Sequence, residues 1–128
     1  MNQPTPPHST APARLPSLDG RVFRMVSSTT STVDPDAPTI FSYAEKDGVI
    51  WGDYEGDTVT FGRFVGTRTG DELYVWVVHQ LVADGSVART EGASRIEQIA
   101  GGRGLRLVEE YEMFGQPQLS ICEEILKD

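Results

Sequence analysis

The sequence is poor in the residues that form disulfides, metal sites and membrane spans. One cysteine, Cys122, occurs in 128 residues, which excludes an internal disulfide and favours a reduced compartment. The two histidines, His8 and His79, occur in none of the H-x-H, C-x-x-C or H-E-x-x-H spacings of zinc sites. The longest apolar run, 73–78, is far shorter than the roughly 20 residues of a spanning helix. We therefore expect a cytoplasmic protein without a metal ion, a cofactor or a membrane partner.

Positive charge is also scarce. Eleven lysines and arginines stand against 19 acidic residues, which gives a net charge of −8. Because an acidic chain without a basic stripe is a poor ligand for phosphate backbones, we expect no nucleic-acid partner.

The first residues lack the apolar side chains that a packed structure needs. Most of the eight prolines of the chain fall before residue 17, where they remove backbone donors. With little apolar surface to offset the entropy of ordering, such a segment stays unfolded. We predict a disordered proline-rich tail over residues 1–18 and a single β-barrel domain over residues 19–128.

From residue 20 onward, apolar and polar residues alternate between turn residues. Asp47-Gly48 is the strongest turn signal, because a two-residue type I′ turn needs positive φ at both positions. Short turns, expected also at 67–70 and 115–117, make each strand antiparallel to the one before it. The pattern predicts an all-β, up-and-down meander of eight or nine strands, with 86–100 forming one bent strand or two. Closure into a barrel removes the unpaired edges of such a meander.

A barrel of this size is filled by its own side chains or holds one small ligand. The turn at 47–48 pairs Phe41 with Tyr54 and Tyr43 with Gly52, which places the aromatic face of this hairpin inside. Similar alternation in the later strands gives an interior set of mostly apolar residues with a few polar ones. This predicted ligand-binding set is Phe41, Tyr43, Tyr54, Phe61, Val75, Val77, His79, Leu107, Glu109 and Tyr111.

Glu109 and Tyr111 alternate with outward-facing charged residues, so both are predicted to point inward. A buried carboxylate is costly unless a hydrogen bond, a charge or a ligand satisfies it. With His79, the two residues could form an acid–base site in which His79 or Glu109 moves a proton. A polar network that satisfies itself is the plainer interpretation, so we assign no catalytic residue and leave open whether the protein is an enzyme.

The strand over residues 72–81 is apolar on both faces. One face lines the interior, and the other carries Tyr74 and Trp76, which need a cover or a partner. We therefore expect a homodimer or another protein contact through Tyr74 and Trp76.

A set of spaced residues between Gly20 and Glu124 resembles a family of small bacterial proteins that are often catalogued as "n-acetylglutamate synthase". The residues are Phe41-x-Tyr43, Gly48-x-x-Trp51, Tyr54-x-Gly56, Gly62, His79, Gly85, Glu109-x-Tyr111 and Glu123-Glu124. The resemblance implies a calycin-like or lipocalin-like barrel. The synthase name lacks support in the residues, because the nearest acetyl-CoA motif, Gln98-x-x-Gly101-x-Arg103, leads into a strand and not a helix.

Three functions remain open on these residues. The first is the binding of a small, largely apolar ligand inside the barrel. The second is a barrel-type isomerase or cyclase that uses His79 or Glu109 for proton transfer. The third is a filled barrel that acts as a protein-interaction module or homodimer.

Overall fold

Eight strands form a closed barrel in a computed structural model, which describes residues 15–29, 33–113 and 115–126. Each strand pairs with the one before it in antiparallel orientation, and β8 pairs with β1 to close the barrel. The strands are β1 (Val22–Ser28), β2 (Ile40–Lys46), β3 (Val49–Gly56), β4 (Val59–Thr69), β5 (Glu72–Leu81), β6 (Val87–Gln98), β7 (Leu105–Met113) and β8 (Gln116–Glu124).

The prediction of an all-β, up-and-down barrel is confirmed. The described residues form eight strands and not nine, because β6 (Val87–Gln98) is one continuous strand within residues 86–100, with Gly92 paired to both Val75 and Tyr111. The part of the chain that the structure describes contains no helix that could cross a membrane.

The hairpin at Asp47-Gly48 has the predicted register. Both turn residues have positive φ, 52° and 82°, as a type I′ turn requires. Phe41 pairs with Tyr54 and Tyr43 with Gly52, and the aromatic side chains of this face are buried in the barrel.

Two turns differ from their predicted positions. The turn expected at 67–70 is shorter, because β4 continues to Thr69 and β5 begins at Glu72. The side chain of Arg68, near the end of β4, is buried. The turn expected at 115–117 gives way to β8, which begins at Gln116. Pro117 is the second residue of that strand, and the missing N–H of a proline is tolerated at a strand end.

One end of the barrel, where β1 begins and β2 ends, is closed by packed side chains. Buried side chains from several strands and from the segment before β1 pack against each other at this end and in the middle of the barrel. They include Leu18, Phe23, Tyr43, Ile50, Phe64, Leu73, Ile96, Leu105, Leu107 and Cys122. Phe23 and Tyr43 meet edge to face at 5.3 Å, and Tyr43 lies 4.6 Å from the ring of Phe64. This half of the barrel is therefore filled by the protein itself.

The segment before β1 crosses the closed end, so the predicted disordered tail was wrong for residues 15–18. Leu18 is completely buried in the core, and its backbone N–H donates to Glu45 at 2.8 Å. The buried guanidinium of Arg68 donates to the carbonyl oxygens of Leu15, at 2.6 Å, and Pro16, at 2.9 Å. Proline lacks a backbone N–H but keeps its carbonyl oxygen, so Pro16 can still accept a hydrogen bond from Arg68. The rest of the predicted tail, 1–14, lies outside the described residues.

Candidate functional site

The other end of the barrel holds a cavity of about 480 Å³. Its wall comes from the ends of β1 to β4 and from long stretches of β5, β6 and β7. Most of the lining side chains are apolar or small. They include Met25, Thr39, Phe41, Tyr54, Val59, Val75, Val77, His79, Ala88, Thr90, Ser94, Glu109, Tyr111 and Ser120. The volume falls within the range of small-molecule sites.

Aromatic rings from two paired strands form one wall of the cavity. Phe41 and Tyr54, which are register partners in β2 and β3, stack with their ring centroids 4.8 Å apart. The ring of Tyr54 occupies the space above Gly62, its partner in β4, where an added Cβ would lie 2.5 Å from the ring. Gly62 therefore sets the position of Tyr54.

Tyr54 and His79 form a polar pair in this wall. The hydroxyl of Tyr54 lies 2.6 Å from Nδ1 of His79. Burial lowers the pKa of His79 and raises the pKa of Tyr54 well above its usual value. Both groups are therefore neutral near pH 7, with the phenol donating to the imidazole nitrogen.

Glu109 carries a carboxylate into the interior of the barrel. It lies between Ser94 of β6 and Ser120 of β8, and it borders the cavity. Burial raises the pKa of Glu109 to about 7. Within the described ranges, its carboxylate has no hydrogen bond or ion pair with a protein group. With respect to the described residues, the carboxylate is thus an unpartnered polar group inside the barrel.

The model of the family described as "Avidin-like protein" matches residues 16–125, which is most of the chain. The chain belongs to the avidin-like family. The match agrees with the expected calycin-type barrel. Comparisons with curated proteins and with solved structures gave no significant match.

The avidin-like barrel brings most of the predicted ligand-binding residues to the cavity. Phe41, Tyr54, Val75, Val77, His79, Glu109 and Tyr111 line it. Tyr43 and Leu107 point inward as expected, but they pack in the filled half.

Phe61 points outward, so its predicted interior position was wrong. The register between β4 and β5 shifts between Val59 and Phe61, which exposes two successive side chains, Thr60 and Phe61. Such a bulge breaks the simple alternation of a strand. Phe61 is 45% exposed, and the guanidinium of Arg63 lies over its ring, 5.1 Å from the centroid.

The expected grouping of His79, Glu109 and Tyr111 is only partly present. His79 contacts Tyr54, and the hydroxyl of Tyr111 lies 3.3 Å from the Oγ of Ser120. Among the described residues, no hydrogen bond or ion pair joins His79 to Glu109. Tyr54 links them electrostatically, because the charge of Glu109 contributes to the raised pKa of its phenol.

Sequence reasoning missed the small residues that β6 contributes to the cavity. Ala88, Thr90, Gly92 and Ser94 line it, and they alternate with outward residues such as Arg89 and Glu91. This alternation could have identified the cavity-lining residues of β6 from the sequence. Within the ranges that the structure describes, no three histidine, cysteine, aspartate or glutamate residues are placed to hold a metal ion.

The outer face of the barrel carries an apolar patch across β3, β4 and β5. We define this outer patch as Val49, Trp51, Val65, Tyr74, Trp76 and Val78, which are all exposed. Trp51, Val65 and Trp76 are successive register partners and so form one row. Tyr74 packs edge to face on Trp76 at 4.9 Å.

Proposed function

We propose that this avidin-like protein binds a small, largely apolar molecule in the cavity between Phe41, Tyr54, Val77 and Glu109. The observation that carries the proposal is the cavity itself, about 480 Å³ of space with a mainly apolar lining inside a barrel whose other half is packed. A soluble barrel that needed only stability would gain from filling this space, because burial of apolar side chains stabilises a fold.

The lining also has the composition of a small-molecule site. Apolar walls from Phe41, Val75 and Val77 would bury the body of a ligand. A few polar groups, namely Glu109 and the Tyr54–His79 pair, would fix its orientation.

Native mass spectrometry of the protein purified from its source tests the proposal. We expect an added mass that organic extraction removes. Val77→Trp would fill the cavity from β5 and abolish the added mass, whereas Val78→Trp, on the exposed side of the same strand, would retain it. Circular dichroism verifies that both variants fold. An added mass that survives Val77→Trp would place the ligand elsewhere, and a persistently empty protein would count against ligand binding.

We also propose that two copies of the chain associate through Tyr74 and Trp76. Support comes from the outer patch, where Trp76 remains 46% exposed beside other large apolar side chains. Continuous exposed apolar surface of this kind is typical of a protein contact. In sedimentation velocity, Trp76→Arg would convert dimers to monomers, and Val87→Arg at another exposed strand position would not. A monomeric wild-type protein at high concentration would refute this proposal.

An isomerase or cyclase remains a second candidate because Glu109 has a pKa of about 7, which suits proton transfer near neutral pH. The ligand extracted from the protein supplies the test. When it is incubated with the protein in D₂O, an enzyme of this type would place deuterium on a carbon of the ligand. Glu109→Gln would stop that incorporation, and absence of both deuterium and a new isomer of the ligand with the wild-type protein would count against the activity.

A further inference from the structure

We infer that the cavity selects an organic cation, an amine with an apolar body, whose ammonium group pairs with Glu109. The inference rests on the proposed ligand binding and specifies the class of ligand. It depends on the charges around the cavity, on the unsatisfied carboxylate and on the aromatic wall.

All of the formally charged residues that border the cavity are acidic. They are Asp57, Glu91, Glu109 and Glu110, and no described lysine or arginine lines the space. The side chains of Glu91 and Glu110 turn outward, where Glu91 accepts from Tyr74 and Glu110 faces Arg95 at 3.5 Å. Asp57 lies in the turn between β3 and β4, whereas Glu109 carries its negative charge within β7, in the wall of the barrel. An anionic ligand would meet this charge without compensation, whereas a cation would be attracted.

Among the residues that the structure describes, none gives the carboxylate of Glu109 a positive partner. Its register neighbours are Ser94 and Ser120, and its charge contributes to the raised pKa of the phenols of Tyr43 and Tyr54 and of the thiol of Cys122. Burial raises the pKa of all three of these groups, so they are uncharged near neutral pH. The buried cation of Arg68 is held at the closed end by Glu45 and Asp71. An ammonium group from a ligand would provide both the missing charge and hydrogen-bond donors.

Aromatic rings in the same cavity as the carboxylate favour the same class of ligand. Phe41, Tyr54 and Tyr111 all line the cavity. The faces of such rings attract cations, and the attraction is larger where water is excluded. The apolar part of an amine would lie against Val75 and Val77 in the same space.

A matched series of compounds tests the inference. We would measure binding of 4-phenylbutylamine, 4-phenylbutan-1-ol and 4-phenylbutanoate by calorimetry at pH 8.5, where Glu109 is ionised and an alkyl amine is still protonated. We expect the amine to bind at least about tenfold more tightly than the alcohol, and the carboxylate to bind more weakly than both. Glu109→Gln would reduce amine binding to the level of the alcohol. Glu112→Gln, an exposed position in the same strand, would keep the preference.

The pH dependence of the wild-type protein gives a second measurement that needs no variant. With a pKa of about 7 for Glu109, amine affinity would rise about fourfold between pH 6.5 and pH 8.5, while alcohol affinity would not. His79 does not produce this change, because its lowered pKa leaves it mainly neutral across the range.

The outcomes separate this inference from the proposed function. Equal binding of amine and alcohol would overturn the cation preference and leave apolar ligand binding intact. If none of the three compounds binds, the ligand extracted from the native protein decides: a basic nitrogen would support the inference, and a neutral or anionic molecule would overturn it. A protein that binds none of the compounds and carries no ligand would overturn both.

Discussion

The hydroxyl of Tyr54 lies 2.6 Å from Nδ1 of His79, and the two rings meet edge to face in the wall of the cavity. Burial favours the neutral form of each group, because it lowers the pKa of the imidazole and raises that of the phenol. In the neutral pair the phenol donates to Nδ1, which leaves the imidazole proton on Nε2. This nitrogen is then a hydrogen-bond donor on a residue that lines the cavity.

The first prediction concerns the titration of His79. We expect its midpoint below 6.5, since partial burial makes the imidazolium less favourable than in water. An NMR titration measures this directly, and the ring nitrogen shifts should identify the Nε2–H tautomer above the midpoint. The signal that disappears in His79→Gln assigns the residue. A midpoint above 6.5 would show that a nearby carboxylate stabilises the imidazolium.

The second prediction concerns Glu109 and stability. In the unfolded chain its pKa is near 4.5, and in the barrel it is about 7, so the folded protein retains a proton that the unfolded chain releases between these values. This group therefore reduces stability as pH rises from 4.5 to 7, by an amount of the order of 3 kcal/mol. Glu109→Gln cannot ionise, so we expect it to be more stable than wild type at pH 8 and similar to wild type at pH 4.5.

Urea denaturation at the two pH values measures this difference. The exposed variant Glu112→Gln should follow the wild-type protein at both. Loss of stability in Glu109→Gln at pH 8 would mean that the carboxylate has a stabilising partner in the empty protein, and it would weaken the argument for a ligand cation.

Much of the barrel could be predicted, because its strands and turns are determined by residues that are close together in the sequence. Alternation identified the strands, and the positive φ required at Asp47-Gly48 fixed the register that brings Phe41 opposite Tyr54. The inward direction of Glu109 followed from its apolar neighbours in β7 and needed no knowledge of the other strands.

The remaining features depend on contacts between distant parts of the chain. Leu18 lies in a proline-rich segment without periodicity, and that segment contacts Arg68, which is 50 residues away from Leu18. Arg68 itself looks like a surface residue, because a buried arginine is rare unless paired. Phe61 faces outward owing to a bulge that alternation cannot detect, and Tyr54 meets His79 only once the barrel has formed.

The third prediction concerns Arg68 at the closed end. Its guanidinium donates to Glu45, Asp71, Leu15, Pro16 and Gly70, with distances from 2.6 to 3.3 Å. Arg68→Met would remove the guanidinium that pairs with the buried carboxylate of Glu45, so we expect a loss of about 3–5 kcal/mol in unfolding free energy.

Hydrogen exchange gives a local readout of the same change. The amides of Leu15 and Leu18, which donate to Asp71 and Glu45, should lose protection in Arg68→Met before the strands do. Arg89→Met, at an exposed position of β6, is the matched control and should leave both amides protected. Unchanged protection in Arg68→Met would show that Leu18 is held by its apolar packing alone.

The fourth prediction concerns Gly62, which supports the ring of Tyr54. A Cβ at this position would lie 2.5 Å from Cζ of Tyr54 and 2.7 Å from both Cε atoms, so the ring must move in Gly62→Ala. The neighbouring ring of Phe41, stacked at 4.8 Å, limits that movement. We expect a loss of about 1–3 kcal/mol in unfolding free energy and a change in the His79 NMR signals, because Tyr54 would leave Nδ1. Gly102→Ala, where the nearest atom is 3.4 Å from the added Cβ, should change neither quantity appreciably. If Gly62→Ala keeps the His79 signals of the wild type, the contact between Tyr54 and His79 does not depend on the space above Gly62, and the aromatic wall of the cavity is more adaptable than its packing indicates.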